Sequence, residues 1–284
     1  METIRAGLST RLVGQTIEGV DVLWSKTADL EQQSSSIIGT KVTGLKRRAK
    51  VLIIELSNGS SLLIHLKMTG QMVLVESSGQ RLAGGHPTAS MAAELPDKST
   101  RVVFDFASGD QLFFNDQRKF GWIQVMATDE INEHTLVSRL GPEPLSDEFT
   151  LAGFQAVLRR HPKALIKPTI LDQSTVSGVG NIYADESLHL AKIHPATRVG
   201  DLKPAQIKRL YEAIKTIITL GVEHGGTSFA HYVNALGGKG DYLANARVFN
   251  RTGQPCLVCA TPIKKIRVAG RGTHYCPHCQ KAPK

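Results

Sequence analysis

The chain has 284 residues, 41% of them hydrophobic, which is enough for about two domains of roughly 100–200 residues, each with its own core. No stretch approaches the ~20 consecutive apolar residues of a membrane helix, and the first residues lack the basic-then-apolar layout of a signal peptide. The formal net charge of +9 favours a polyanionic partner. Composition therefore argues against a membrane protein and predicts a cytoplasmic one without a membrane partner.

The first half of the chain is predicted to be mostly antiparallel β-structure behind a short helix. The spacing of Ile4 and Leu8 places both on one face of a helix that begins at the first residues. VLIIELSNGSSLLIHL contains two β-rich runs, and Asn58-Gly59 between them is a strong hairpin signal. The polar stretch from Glu76 to Thr100 is predicted to be a loop or a mobile insertion. RVVFDF and QLFFND then form a second hairpin.

The second half is predicted to be helical. Apolar residues recur with helical periodicity over residues 147–161, 183–191 and 204–224. The change of pattern places the domain boundary near residues 128–146, around Gly141-Pro142-Glu143-Pro144. A glycine-rich loop, ALGGKGDY, separates the last helix from the cysteines.

All four cysteines of the chain occur in two CxxC pairs near the C-terminus. Sixteen residues separate Cys256-Leu257-Val258-Cys259 from Cys276-Pro277-His278-Cys279. Four thiolates with this spacing can close a tetrahedral site around one structural Zn²⁺, whereas two disulfides are disfavoured in a cytoplasmic protein. The metal would stabilise a hairpin too small to bury a sufficient core of its own.

The C-terminal segment is also strongly basic. From Tyr242 to Lys284 there are eight Lys and Arg residues and no Asp or Glu. This distribution predicts contact with nucleic-acid phosphates rather than an ordinary solvated surface. Ser177-Gly178-Val179-Gly180-Asn181 precedes a predicted helix, where backbone amides attract anions, and Asn181 suits either a helix cap or a phosphate ligand.

Two further clusters lie at hairpin ends in the β half. One is Lys46-Arg47-Arg48-Ala49-Lys50, and the other is Asn115-Asp116-Gln117-Arg118-Lys119-Phe120-Gly121-Trp122. Most clusters of this kind are charged turns beside a core aromatic. The second also fits a wedge, in which an apolar ring beside an arginine fills a gap in a DNA stack.

In this order, the segments resemble the bacterial formamidopyrimidine-DNA glycosylase and endonuclease VIII family almost end to end. The matching motifs are ETIRAGL, RRAK, HLKMTG, NDQRKFG, LGPEPLS, ALIKP, SGVGNIYADESL, IHP, HGGTSF and the two CxxC pairs. The resemblance implies an α+β protein with an N-terminal antiparallel β-sandwich, a helix-two-turns-helix module and a zinc ribbon. The implied division is a β-sandwich over 1–127, a linker over 128–146, the helical domain with a lid loop over 147–244, and the ribbon over 245–284.

The resemblance also implies a function in base-excision DNA repair. A monomer would bind double-stranded DNA in a cleft between its halves, excise oxidised purines such as 8-oxoguanine and formamidopyrimidines, and cleave the strand at the abasic site. Lys50 matches the active-site lysine of the β domain, and Met68, Arg118 and Phe120 match the residues that fill the gap left by the flipped base. Lys167 and Asn181 match phosphate ligands. Arg271 matches an arginine that grips DNA and takes part in the elimination step, and residues 225–242 match a lid over the extruded base.

The start of the chain departs from the family pattern. In relatives, Pro-Glu-Leu-Pro-Glu-Val precedes the first helix, and the proline amine attacks the sugar C1′ to form a Schiff base while the adjacent glutamate acts as acid and base. Met1 stands where that valine would be, as it would if a GTG start codon had been placed a few codons late. The given chain is therefore expected to lack both groups, leaving the amines of Met1 and Lys50 as weak substitutes. Ser99 stands near the position where relatives often have a histidine close to DNA.

Two alternatives to an enzyme remain open from the sequence. One is a catalytically inactive protein of the same fold that binds damaged DNA. The other is an RNA-binding or synthetase-like protein with a zinc ribbon, because a similar ribbon ends some isoleucyl-tRNA synthetases. The second alternative leaves the matches at RRAK and NDQRKFG unexplained.

Overall fold

The computed structural model describes residues 1–24, 30–86, 91–226 and 242–283. The chain divides into two compact units, the first built from residues 1–138 and the second from residues 139–224 together with the segment that begins at Tyr242. The first unit is a β-sandwich behind an N-terminal helix, and the second contains helices and a two-stranded ribbon. The predicted fold class is thus confirmed, while the domain boundaries within it stay a prediction.

Two antiparallel sheets form the first unit. One has the strand order β1-β7-β8-β5-β6 and the other the order β2-β3-β4-β9. The strands are β1 (Ile17–Val22), β2 (Val42–Arg48), β3 (Val51–Leu56), β4 (Ser60–His65), β5 (Gly70–Val75), β6 (Arg81–Gly85), β7 (Thr100–Phe106), β8 (Gln111–Asp116) and β9 (Trp122–Ala127). Alternate apolar side chains of both sheets meet in one core, as the two-residue period of a strand requires.

Helix α1 (Glu2–Leu12) closes this core at the start of the chain. Its buried residues Ile4, Leu8 and Leu12 follow each other at four-residue intervals and join the core of the sandwich. The predicted N-terminal helix is confirmed. A second helix, α2 (Leu30–Ile37), has no counterpart among the predicted elements; its polar Gln and Ser residues hide the apolar positions at its two ends.

Both predicted hairpins are present, with turns set by glycine. Between β3 and β4 the Gly59 amide donates to the Leu56 carbonyl, and Gly59 alone adopts a positive φ, at +82°. The side chain of Asn58 accepts hydrogen bonds from the amide and hydroxyl of Ser60. Because β3 ends at Leu56 and β4 begins at Ser60, the loop has three residues and differs from the two-residue form in which both positions are left-handed. Gly109, at φ +82°, serves the β7–β8 turn in the same way.

The polar stretch before Thr100 is not a simple loop. Residues 81–85 form β6, an edge strand that pairs with β5 over its whole length. Two glycines and an arginine conceal this strand from hydrophobic periodicity, because an edge strand is held by backbone hydrogen bonds that need no apolar side chain. Residues 87–90 of the stretch lie outside the described residues.

The second unit contains four α-helices in its described residues. They are α3 (Leu151–Arg159), α4 (Ile166–Leu171), α5 (Asn181–Leu190) and α6 (Pro204–Glu223). Three of them match the predicted helical segments, with Thr150 capping α3 and Pro204 in the first turn of α6. The six-residue helix α4 is too short to show a periodic pattern, so the sequence did not predict it.

The ribbon follows as β10 (Lys264–Val268) and β11 (Arg271–Tyr275), an antiparallel pair joined by the two-residue turn Ala269-Gly270. Both turn residues have positive φ, +45° and +80°. This is the form that matches the twist of a tight hairpin. Among the described helices, none has the length and apolar character needed to cross a membrane.

Candidate nucleic-acid interface

The structure brings together the three residues predicted to fill a gap in DNA. Met68 and Phe120 are exposed apolar side chains, at 58% and 54% of their full surface. The Arg118 guanidinium lies 4.7 Å from the Phe120 ring centroid, and its Nη1 is 3.4 Å from Sδ of Met68. Exposed apolar groups flanking a cation form a surface that can replace a stacked base and pair its charge with phosphate.

The side chain of Asp116 holds the loop that carries two of these residues. We call residues 116–121 the wedge loop. Oδ2 of the fully buried Asp116 accepts hydrogen bonds from the amides of Phe120 and Gly121 at 2.7 and 2.6 Å. Oδ1 accepts from the Arg118 amide at 3.2 Å and from the Thr69 hydroxyl. One carboxylate therefore fixes three backbone positions and presents Phe120 without help from a core around its ring.

Two further features restrain the wedge loop. A Cβ at Gly121 would lie 2.7 Å from Cζ of Phe114, so only glycine fits where the loop rejoins the sandwich. Lys119 has φ +58°, and its ammonium lies 3.6 Å from the Trp24 ring centroid, a cation–π contact. The loop is thus held on its inner side by a carboxylate and on its outer side by an aromatic face.

A second group of cations surrounds the start of helix α1. Lys50 lies in the turn between β2 and β3, and its charge acts on both the Met1 amine and the His65 ring. Burial, and then the charge of Arg47, lower the pKa of the Met1 amine to about 6, against the opposing charge of Glu2. Burial and the charges of Lys67 and Lys50 lower the pKa of His65 to about 4. Near pH 7 the Met1 amine and the His65 imidazole are therefore mostly neutral.

In the second unit, the three predicted DNA contacts meet at the ribbon turn. Arg271 is exposed at the first position of β11. The carbonyl of its neighbour Gly272 accepts hydrogen bonds from Nζ of Lys167 and Nδ2 of Asn181, each at 3.1 Å. Helix α5 begins at Asn181 with Gly180 as its N-cap residue, and no side chain caps it. Asn181 therefore fixes the ribbon instead of the helix end.

Lys167 differs from the expectation for a phosphate ligand. Its side chain is fully buried, and its ammonium contacts Oδ1 of Asp185 at 2.7 Å, the Thr273 hydroxyl at 2.7 Å and the Gly272 carbonyl. The ammonium makes two hydrogen bonds and one ion pair, all with groups of the second unit. In this structure Lys167 thus positions the ribbon from below, and direct contact with phosphate stays a prediction that its burial opposes.

Helix α5 anchors the ribbon through carboxylates that sequence reasoning missed. Oδ2 of Asp185 accepts from the His274 amide at 2.8 Å. The buried carboxylate of Glu186 accepts from three consecutive amides, those of Arg247, Val248 and Phe249, at 2.7–2.9 Å. The sequence offered one signal for these contacts: two acidic residues inside SGVGNIYADESL, in a chain whose segment from Tyr242 to Lys284 has no Asp or Glu.

The four cysteines form a structural zinc site. Their Sγ atoms all lie within 4.8 Å of one another, with Cys259–Cys276 at 3.5 Å and Cys256–Cys279 at 4.0 Å. Sulfurs bound to one tetrahedral Zn²⁺ at 2.3 Å stand about 3.8 Å apart. The amides of Val258 and Cys279 point at Cys256 and Cys276 Sγ. The donor set therefore fits zinc, as predicted for Cys256, Cys259, Cys276 and Cys279.

The segment predicted to form a lid lies almost entirely outside the described residues. Of the glycine-rich segment matched over residues 225–242, residues 227–241 lie outside the described residues. Ser99, at the position of a family histidine, is buried and donates to Asp97 through both its amide and its hydroxyl. It therefore has a turn-forming role in this chain.

A β-sandwich with an exposed aromatic wedge, a helical module and a four-cysteine ribbon rich in cations define a class of DNA-repair proteins. Three family models match the chain: the formamidopyrimidine-DNA glycosylase N-terminal domain over residues 1–123, its H2TH domain over 140–232, and the zinc finger found in FPG and IleRS over 253–282. The chain belongs to the formamidopyrimidine-DNA glycosylase family.

Individual relatives agree with this assignment over nearly the whole chain. Formamidopyrimidine-DNA glycosylases of Herpetosiphon aurantiacus and Enterococcus faecalis are 43% and 39% identical, covering 99% of this chain and 97% and 95% of theirs. The Lactococcus lactis Fpg structure with abasic-site DNA is 35% identical with a TM-score of 0.87, covering 99% of this chain and 98% of its own. A MutM structure with carbocyclic 8-oxo-G DNA is 34% identical with a TM-score of 0.85 and the same coverage.

Proposed function

We propose that this protein is a base-excision DNA glycosylase that removes oxidised purines, 8-oxoguanine and formamidopyrimidines, from double-stranded DNA and then cleaves the abasic site. The observation that carries the proposal is the preformed group of Met68, Arg118 and Phe120 on a loop tied down by Asp116. Two exposed apolar side chains beside one cation, on a loop held by backbone hydrogen bonds, suit contact with stacked bases and phosphate. Relatives crystallised with abasic-site and Fapy-dG DNA support the same substrate.

The wedge supports recognition of a base that has left the stack. Extruding a nucleotide costs a few kcal/mol of lost stacking and pairing, and this cost is lowest at a damaged pair. An inserted aromatic ring recovers part of the stacking, about 1–3 kcal/mol for each base it replaces. Phe120 would supply this ring, and Arg118 would bring a cation close to the opposite strand and its phosphates.

The ribbon supports binding to the DNA backbone. Arg271 is exposed at the first position of β11, next to Gly272, whose carbonyl is held by Lys167 and Asn181. A cation held at a defined position contacts phosphate at a smaller entropic cost than one on a free side chain. We therefore assign Arg271 to DNA contact, and Asn181 to both DNA contact and positioning of the turn.

Strand cleavage at the abasic site would begin with attack of a neutral amine on the sugar C1′, where a Schiff base forms with loss of water. Removal of a proton from C2′ would then expel the 3′-phosphate and break the strand. A neutral amine is required, and the Met1 amine is mostly neutral near pH 7 because its pKa is lowered to about 6. Lys50 would place a positive charge near the sugar, where it can stabilise the negative charge of the phosphate that leaves during elimination. In the family pattern the amine belongs to a proline about five residues before the position of Met1, so the lyase proposal has to be tested on two forms of the chain.

The test uses a duplex with one 8-oxoguanine opposite cytosine, treated with borohydride during the reaction. One protein is the chain as given, and the other carries Pro-Glu-Leu-Pro-Glu-Val in place of Met1 with the leading methionine removed. The extended protein is expected to excise the base, form a trapped adduct and cleave the strand. The given chain is expected to bind and trap far more slowly, because an amine displaced by about 1 Å can lose about a hundredfold in rate.

Trapping by the given chain also has a predicted pH dependence. The Met1 amine has a pKa lowered to about 6, so its reactive neutral fraction rises as the pH passes through 6 and is nearly complete at pH 7. An extended protein that binds the lesion but neither excises nor traps would favour the inactive damage-binding alternative. Equal rates for the two proteins would contradict the assignment of the nucleophile.

The remaining assignments follow from the same family pattern. We propose that residues 1–127, 147–244 and 245–284 act as the sandwich, the helical DNA-binding domain and the ribbon, joined by a linker over 128–146. We further propose that the protein acts as a monomer on DNA in the bacterial cytosol and nucleoid.

A further inference from the structure

One buried histidine touches the zinc site without belonging to the four-cysteine set. His189 lies at the C-terminal end of α5, 3% exposed, and its Nε2 is 3.5 Å from Sγ of Cys256. Its other ring nitrogen, Nδ1, is buried and has no hydrogen-bond partner among the described residues. The ring is therefore held against a sulfur by one nitrogen alone.

The surroundings decide which nitrogen carries the proton. When Cys256 is bound to zinc its sulfur is a thiolate, which can only accept a hydrogen bond. If Nδ1 carried the proton, a buried N–H would have no acceptor and a lone pair on Nε2 would face a negative sulfur. If Nε2 carries it, the N–H points at the thiolate and the unpartnered group is a lone pair, which costs less than an orphaned N–H.

We propose that His189 donates its Nε2–H to the Cys256 thiolate and so stabilises bound zinc and couples the metal site to helix α5. A four-thiolate zinc site has a net charge of −2, and each N–H that points at a sulfur offsets part of it. Cys256 also receives the Val258 amide at 3.5 Å, so its sulfur accepts two N–H groups. Hydrogen bonds to metal ligands typically contribute about 10- to 100-fold in metal affinity.

The position of His189 on α5 gives the contact a second consequence. The same helix holds the ribbon turn through Asn181, β11 through Asp185 and the ribbon entrance through Glu186. His189 adds a contact between α5 and a zinc ligand. Loss of zinc would therefore weaken the attachment of α5 to the ribbon as well as the ribbon itself. His189 is thus a positioning residue for the zinc site and not a ligand.

The first experiment reads the tautomer directly in the folded protein loaded with ¹¹³Cd²⁺ in place of zinc. An Nε2–H donated to a cadmium-bound sulfur gives a scalar coupling between ¹¹³Cd and Hε2 of His189, and the ring ¹⁵N shifts show a protonated Nε2. Both signals are expected. A protonated Nδ1 with no coupling would overturn the proposal, whatever the DNA activity of the protein.

The second experiment measures zinc release to an excess of a chromogenic chelator. His189→Phe keeps a ring but removes the donor, and it is expected to release zinc about 10-fold faster or more, while His189→Gln, whose Nε2 can reach the sulfur, should recover part of the loss. His194→Phe is the matched control, because His194 packs on Tyr275 at 4.8 Å between ring centroids and is not seen to contact a cysteine in the described structure. Equal release rates for wild type and His189→Phe would overturn the proposal, and unfolding of that variant leaves the tautomer measurement to decide.

Discussion

The wedge loop and the zinc ribbon solve the same problem by different means. Each presents an exposed side chain on a short turn that cannot bury a core, Phe120 in one and Arg271 in the other. The wedge loop is organised by Asp116 at its own first position, through bonds that span two to five residues. The ribbon is ordered by two other elements. One is the metal held by its four cysteines, and the other is α5, whose side chains lie about 60 to 90 residues earlier in the chain.

A loop ordered by one of its own side chains keeps its strand pairing when that side chain is lost. A ribbon ordered by a metal and by another helix loses its structure when either one is removed. A wedge loop without its carboxylate remains attached to two paired strands, β8 and β9. A ribbon without zinc retains one two-stranded pairing, which is marginal in water by itself. Damage to the ribbon should therefore be far more costly than damage to the loop.

The largest effect is expected from removing a zinc ligand. Cys256→Ser or Cys279→Ser leaves three thiolates, and the ribbon should lose most of the ~10–16 kcal/mol that a structural zinc site provides. Metal analysis should find less than one zinc per chain, and affinity for DNA should fall with it. Native protein purified without zinc would contradict the structural role of the metal.

The next effect tests the anchor between α5 and the ribbon. Asp185→Asn leaves Lys167 buried without its counter-charge, which typically costs about 3–5 kcal/mol. Chemical denaturation with a probe in the second unit measures the loss. Glu212→Gln is the control, because its pair with Lys208 is exposed and 3.9 Å long, and its removal should cost less than about 1 kcal/mol. Equal costs would show that α5 does not anchor the ribbon through Asp185.

A smaller effect is expected from the local organiser. Asp116→Asn puts an NH₂ group where a carboxylate oxygen meets backbone N–H groups, at a cost of about 1–3 kcal/mol. Amide hydrogen exchange at Phe120 and Gly121 should accelerate while the strands stay protected. Asp105→Asn, on β7 and bonded to the Gln111 side chain, should leave both amides unchanged. Unaltered exchange in Asp116→Asn would mean that the loop is ordered by something else.

The smallest effect concerns a single cation of the ribbon. Binding to a duplex with a reduced abasic site should weaken as salt rises, because phosphate contacts release counterions. Arg271→Ala should reduce the slope of log K against log salt by about 1 and weaken binding to damaged and intact duplexes alike. A binding constant that does not change with salt would contradict the assignment of the ribbon to the DNA interface.

The sequence predicted those features whose determinants are close together in the chain. The two CxxC pairs, the hairpin turns at Gly59 and Gly109 and the exposed cluster around Phe120 all rest on neighbouring residues. It missed strand β6, which pairs through its backbone, and the contacts that Lys167, Asp185 and Glu186 make with residues 61 to 106 positions further along the chain. A lysine that points into the protein and one that points into solvent look the same in a sequence.

The central claim is that the wedge loop supplies selectivity for damage while the ribbon supplies affinity for the DNA backbone. The direct measurement is the ratio of dissociation constants for an intact duplex and one with a reduced abasic site, for wild type, Phe120→Ala and the exposed control Leu145→Ala. Phe120→Ala is expected to lower this ratio roughly 5- to 150-fold, which corresponds to about 1–3 kcal/mol of lost stacking. Its dissociation constant for intact DNA should stay nearly constant. Leu145→Ala should change neither dissociation constant. Equal losses of Phe120→Ala on both duplexes would contradict the claim.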